Sequence, residues 1–327
     1  MIIRMRAAGR GAMVAAVVAT VITGSSGVSA AQDGDTDDGP NIQCRKDIDP
    51  QAHHFYPGES GGTAYDAVFT RGTGKPLPDL GSYVPQGAAT WGNWDGQGND
   101  LLLVTQHGPG NGPAHIAGID LRTYETVGVV TIEATHAGGI GVTGNGWVYV
   151  SGGQNRVLRF SQQRLREELP RRGNLEHTGS LEVAGSSFLS GFGDKLYAGT
   201  FDKDKPGTMA RYGVGADGAL LHEEDYQVPR STQGLLVTEK NFVFSSSYGR
   251  TKRGNIYVAA HGERTIAPNT VQCFRTPSMP EGIAGLGNTA YLVFESGAGE
   301  FANDPKTRNK ISDVHMADIG ALVAPRP

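Results

Sequence analysis

The sequence predicts an all-β, five-bladed β-propeller of four-stranded antiparallel blades closed by an N-terminal strand, with a six-bladed ring as the alternative. Three observations carry this expectation. A motif of one polar residue, a glycine or other small residue, and then small apolar residues recurs from positions 86, 136, 186, 233 and 281, at intervals of 50, 50, 47 and 48 residues. Each copy runs through a turn into an apolar strand followed by further strand-like segments, and four short strands per roughly 40–50 residues is the period of a propeller blade. The 48 glycines and 17 prolines suit many short strands and turns, whereas Gln162–Leu169 is the one Glu/Arg/Leu-rich, helix-like stretch.

Read in order, residues 1–30 have the form of a secretory signal peptide. Arg4, Arg6 and Arg10 precede the apolar run Ala12–Ile22, and small residues lead to Val28-Ser29-Ala30. The run is roughly half the length of a membrane-crossing helix, so secretion to the extracellular space is expected, with no membrane association after cleavage. Residues 31–43 are acidic and nearly free of apolar side chains, which predicts a disordered linker, and residues 44–327 form a single propeller domain. The two cysteines, Cys44 and Cys273, are expected to pair as a disulfide in an oxidising exterior.

The first blade is expected to comprise Gln86–Ala89, Leu101–Val104, His115–Asp120 and Thr126–Ile132. The second takes His136–Ile140, Trp147–Val150, Arg156–Phe160 and Leu175–Val183. Ser186, Lys195–Ala198 and Met209–Tyr212 mark the third, Gln233–Leu235, Phe242–Phe244 and Gly254–Val258 the fourth, and Glu281–Ala284, Tyr291–Phe294 and Val314–Ile319 the fifth. A fourth strand for the fifth blade is missing, and Leu80–Val84 is expected to supply it and remove the open edge. Asp47–Lys75 then has no assignment, which is what keeps a sixth blade open.

The net charge of −4 offers no basic field for a polyphosphate backbone, so nucleic acid is excluded as a partner. Arg164, Arg166, Arg171 and Arg172 alternate with Glu167 and Glu168 and read as a solvated face. A monomer is expected.

In a propeller the innermost strands converge on a channel, which makes neighbours of Gln86, His136, Ser186 or Ser187, Gln233 and Glu281. The loops after each second strand reach the same mouth and bring His107, Tyr248, Arg250 and Glu295. Gln86, His107, Gln233, Tyr248 and Arg250 are therefore the expected contacts for a small polar ligand such as a sugar or a peptide end. Glu295, Glu281 and His136 are the acid/base candidates if the protein is an enzyme. Glutamate and amide oxygens also suit a structural or channel calcium ion, although no metal-ligand motif such as HExxH fixes its ligands. Asp202-Lys203-Asp204 lacks the further oxygens of a calcium loop, and no GxSxG nucleophile elbow occurs.

With the repeats in view, the blades resemble those of secreted actinobacterial propellers, which carry QG or GG at the inner strand. Ser231-Thr232-Gln233-Gly234-Leu235, continuing through Phe242-Val243-Phe244-Ser245-Ser246-Ser247-Tyr248-Gly249-Arg250, resembles one blade of the plant-type glutamine cyclotransferases, five-bladed propellers that form N-terminal pyroglutamate. The resemblance implies a catalytic glutamate where this chain has Ser245 or Ser246, so Glu295 is the residue left to take that role. The sequence thus leads to a secreted ligand-binding propeller, with an extracellular hydrolase, lyase or cyclotransferase as the alternative.

Overall fold

The computed structural model describes residues 55–267 and 269–325. The expected signal peptide, linker and Cys44 lie outside the described residues. Among the described residues, twenty strands form five four-stranded antiparallel sheets. Blade 1 runs outward through Val84–Trp91, Leu101–His107, Pro113–Asp120 and Thr126–Ala134. Blade 2 comprises Ile140–Val142, Trp147–Gly153, Arg156–Ser161 and Gly179–Glu182. Phe188–Phe192, Lys195–Gly199, Gly207–Val214 and Leu220–Val228 make blade 3. Blade 4 follows with Thr232–Val237, Asn241–Ser246, Asn255–Ala260 and Val271–Arg275. Blade 5 has Pro280–Leu286, Thr289–Phe294 and His315–Asp318.

The second strands read as unbroken apolar runs because each is covered on both faces. Leu101 and Leu103 pack toward blade 2 with Ile140 and Val148. Leu102 and Val104, pointing the other way, pack toward blade 5 with Ala284 and Val293. Phe242 and Phe244 face blade 3, while Val243 faces blade 5. Tyr149 meets Leu189 and Leu196 of blade 3. The five core clusters are thus five blade-to-blade interfaces, and the ring is closed.

The glycine of the repeat motif has a packing cause. A Cβ on Gly87 would lie 2.6 Å from the Gly139 Cα, and one on Gly234 would lie 2.6 Å from the Glu281 carbonyl oxygen. In a five-membered ring the inner strands run so close that backbone meets backbone, and a side chain there must displace a neighbouring strand. These glycines admit the backbone of the next blade. Buried hydroxyls tie the same strands. Thr105 Oγ1 accepts from Gly87 N at 2.9 Å and donates to the Ala137 carbonyl at 2.7 Å.

Closure differs from expectation. The outermost strand of blade 5 is Arg71–Gly72, with Arg71 opposite Met316 and Gly72 opposite His315, rather than Leu80–Val84. Val84 instead opens the inner strand of blade 1, and Leu77 and Leu80 pack between blades 5 and 1. The helix Thr63–Asp66 lays Tyr65 against blade 5, so the described residues before Lys75 complete that blade and form no sixth.

Gln162–Glu168 is a helix, N-capped by the Ser161 side chain, with Leu165 buried between blades 1 and 2. Cys273 is buried on the outer strand of blade 4. Among the described residues no helix is long and apolar enough to cross a membrane.

Candidate functional site

The two ends of the channel differ in chemistry. At the far end the inner strands finish on small and apolar residues around a cavity of about 380 Å³, where Glu239 is the titratable side chain. At the end where the inner strands begin, a cavity of about 520 Å³ is bordered by Gln86, His136, Ser186, Ser187, Gln233, Tyr248, Arg250 and Glu295. Most of the residues expected at the mouth therefore converge on one space.

Two glutamates of blade 5 have raised carboxyls there. Glu281, on the inner strand of blade 5, is 1% exposed and touches the cavity through Gln233 and Ser247, which border it. Its Oε1 accepts from Gln233 Nε2 at 2.9 Å and from Ser247 Oγ at 3.4 Å. Burial, and then the charge of Glu295, push its carboxyl well above the usual carboxylate range, against these two donors. Glu295 follows the second strand of blade 5 and keeps part of its surface open to the cavity. Its Oε1 accepts from Gln86 Nε2 at 2.6 Å. Burial pushes its carboxyl up to about 7, with the Glu300 charge adding and the Gln86 donor and Arg250 opposing. The QG motifs of blades 1 and 4 thus have a second purpose: each glutamine donates to one carboxyl of blade 5.

His136 and His107 stack, ring centroids 5.0 Å apart at 26°. Burial first, and the His107 charge second, hold His136 below its ordinary value of 6.5, so it is a neutral imidazole at pH 7. His107 borders a separate cavity of about 570 Å³ with Ser82, Asn111 and Glu300, and His136 stands between the two spaces. The guanidinium of Arg250 pairs with Asp304 and lies 4.8 Å from the Phe301 ring centroid, so it forms a fixed wall. Tyr248 is 48% exposed, with its ring 6.1 Å from that of Phe201.

The serines at the position of the cyclotransferase glutamate are structural ties. Ser245 donates to the Glu281 carbonyl and Ser246 to that of Arg230. Asp202 accepts from the backbone N–H groups of Asp204 and Lys205, which makes a capped turn. Phe301 and Met279 also stand in the wall, and sequence reasoning does not reach them because neither belongs to the repeating motif.

No family model matches the chain, and no curated protein matches it. The cyclotransferase resemblance therefore rests on Ser231–Arg250 alone. Solved structures to which the chain shows some similarity include Kuenenia stuttgartiensis hydrazine synthase, at 13% identity and a TM-score of 0.41 over 68% of this chain and 58% of that one. The WD40 domain of Toxoplasma gondii coronin matches at 9% identity and a TM-score of 0.35 over 69% and 54%. The Dos1 propeller matches at 12% and 0.32 over 61% and 53%. The chain spans little more than half the length of these structures.

Proposed function

We propose that this chain is a secreted β-propeller that holds a small polar ligand at the mouth formed by the inner-strand starts. The observation that carries the reading is the convergence of Gln86, Gln233 and Glu295 with the Phe201 and Tyr248 rings on one cavity of about 520 Å³. Amides and a carboxyl supply directional hydrogen bonds, and aromatic faces supply apolar contact at low entropic cost. The cation bordering it, Arg250, is engaged by Asp304, so a ligand bearing hydroxyls or an amine, a sugar or the amino end of a peptide, fits better than an anion. A calcium ion at the same mouth, with Glu295 and amide oxygens as hard donors, belongs to this reading.

The test is calorimetry and thermal shift of the chain against a panel of sugars and short peptides, repeated with Glu295→Gln and Tyr248→Ala. A binder weakened roughly 2- to 10-fold by loss of the Tyr248 ring supports the reading. Absence of any binder, or a binder indifferent to both substitutions, sinks it.

One observation favours a second reading. A carboxyl titrating near 7 beside a cavity has the acidity of a general acid/base at neutral pH. In an extracellular hydrolase, lyase or cyclotransferase, Glu295 would move the proton, with Glu281 as the buried carboxyl beside it and His136 as a neutral acceptor. Turnover of a glycoside or an N-terminal glutaminyl peptide that vanishes in Glu295→Gln at unchanged melting temperature would establish it, and full activity in that variant would dismiss it.

A further inference from the structure

We infer that a divalent cation of the zinc class binds at the outer edge of blade 5, held by Glu59, Asp313 and His315, and clasps the N-terminal segment onto the blade that closes the ring. One ligand atom from each of the three lies within 4.8 Å of the others. His315 Nε2 stands 3.3 Å from Glu59 Oε2 and 4.0 Å from Asp313 Oδ1. Ligand atoms at about 2.0–2.2 Å from a tetrahedral zinc ion lie roughly 3.3–3.6 Å apart, so sub-ångström shifts bring the three onto one ion.

The surroundings prepare the ligands. Asp313 is 8% exposed, and its Oδ1 is fully buried with no hydrogen-bond partner, which is costly for a carboxylate oxygen unless something binds it. Its Oδ2 accepts from Gly74 N at 2.8 Å, which fixes the carboxylate plane and leaves Oδ1 turned toward His315. Tyr65 Oη lies 2.7 Å from His315 Nδ1. With Nδ1 protonated and donating to the phenol oxygen, the Nε2 lone pair faces the two carboxylates, the outer-shell arrangement typical of metal-bound histidine. One imidazole with two carboxylates suits a borderline ion, with water completing its shell.

The placement gives the ion a role. His315 and Asp313 come from the last blade, Glu59 from the segment that precedes the closing strand Arg71–Gly72. A two-residue strand is a short seam for the whole ring, and an ion bridging its flanks stabilises only the closed state. The competing account is a protonated His315 shared between two carboxylates with no ion.

The experiment is zinc titration of the untagged, chelator-stripped chain, followed by calorimetry, by the visible bands of the cobalt(II) form and by melting temperature. One equivalent of zinc, cobalt bands and a raised melting temperature are expected. Glu59→Gln alters an exposed carboxylate and leaves the core intact; it should weaken zinc at least about tenfold, and Tyr65→Phe, which loses only the outer-shell oxygen, by about 10- to 100-fold. A folded wild-type chain that takes up no zinc, or zinc binding unchanged in Glu59→Gln and Asp313→Asn, overturns the inference.

Discussion

Replacing Glu295 with glutamine should make the protein more stable at pH 8, although it removes a hydrogen-bonded side chain from the candidate site. The folded carboxyl is raised from its ordinary value of 4.5 to about 7. A carboxyl raised on folding binds its proton more tightly in the native state. Its stabilising contribution is therefore complete below about pH 4.5 and is lost as pH rises through about 7. Each tenfold gain in proton affinity on folding is linked to about 1.4 kcal/mol, which amounts to about 3 kcal/mol across that window. Glutamine keeps the shape and an oxygen that accepts from Gln86 Nε2, and it does not ionise. Glu295→Gln should match the wild type near pH 4.5 and exceed it by about 3 kcal/mol at pH 8, a melting-temperature gain of about 6–12 °C. Urea denaturation of both proteins from pH 4.5 to 8.5 measures the difference. Equal pH slopes, or a variant less stable at pH 8, would refute the assignment of Glu295 as a desolvated carboxyl and with it the acid/base reading.

Gly87→Ala should cost about 1–3 kcal/mol or more, because its Cβ meets the Gly139 backbone, whereas Gly81→Ala, with open space around it, should stay within about 0.5 kcal/mol; thermal melts compare the two. Ser245→Ala should lose about 1 kcal/mol by the same assay, since its buried hydroxyl ties blade 4 to the Glu281 carbonyl. A chain beginning at Gly81 lacks the Arg71–Gly72 strand and leaves the edge of blade 5 unpaired; size-exclusion chromatography should show aggregation, and a well-behaved monomer would count against that closure. Peptide mapping without reductant should recover Cys44 and Cys273 in one linked peptide, and separate peptides would contradict the predicted bridge.

The blades are legible in the sequence because their physics repeats. Strands covered on both faces must read as runs such as Leu101-Leu102-Leu103-Val104, and inner strands in backbone contact must carry glycine at one recurring position. The closing strand is not legible: Arg71–Gly72 is two exposed residues whose pairing is set by blade 5 rather than by their own pattern. Leu80–Val84 misleads because its apolar residues serve other ends: Leu80 packs between blades 5 and 1, and Val84 begins the inner strand of blade 1. In the site, Gln86, Gln233 and Glu295 follow from their repeat positions, but their pairing as amide and carboxyl depends on side-chain reach across blades. Phe301 sits in the short helix Gly299–Ala302 inserted after Glu295, and Glu59 lies outside every repeat, so periodicity cannot reach either. Asp313 and His315 fall within the last repeat, yet their partner does not.

The claim that the polar mouth is a binding site is tested most directly by soaking crystals of the protein with a library of small hydroxyl- and amine-bearing compounds and mapping where density appears. Bound compounds should gather among Gln86, Gln233, Glu295 and Tyr248. Compounds confined to the far mouth or the outer rims, with this cavity holding water alone, would contradict it.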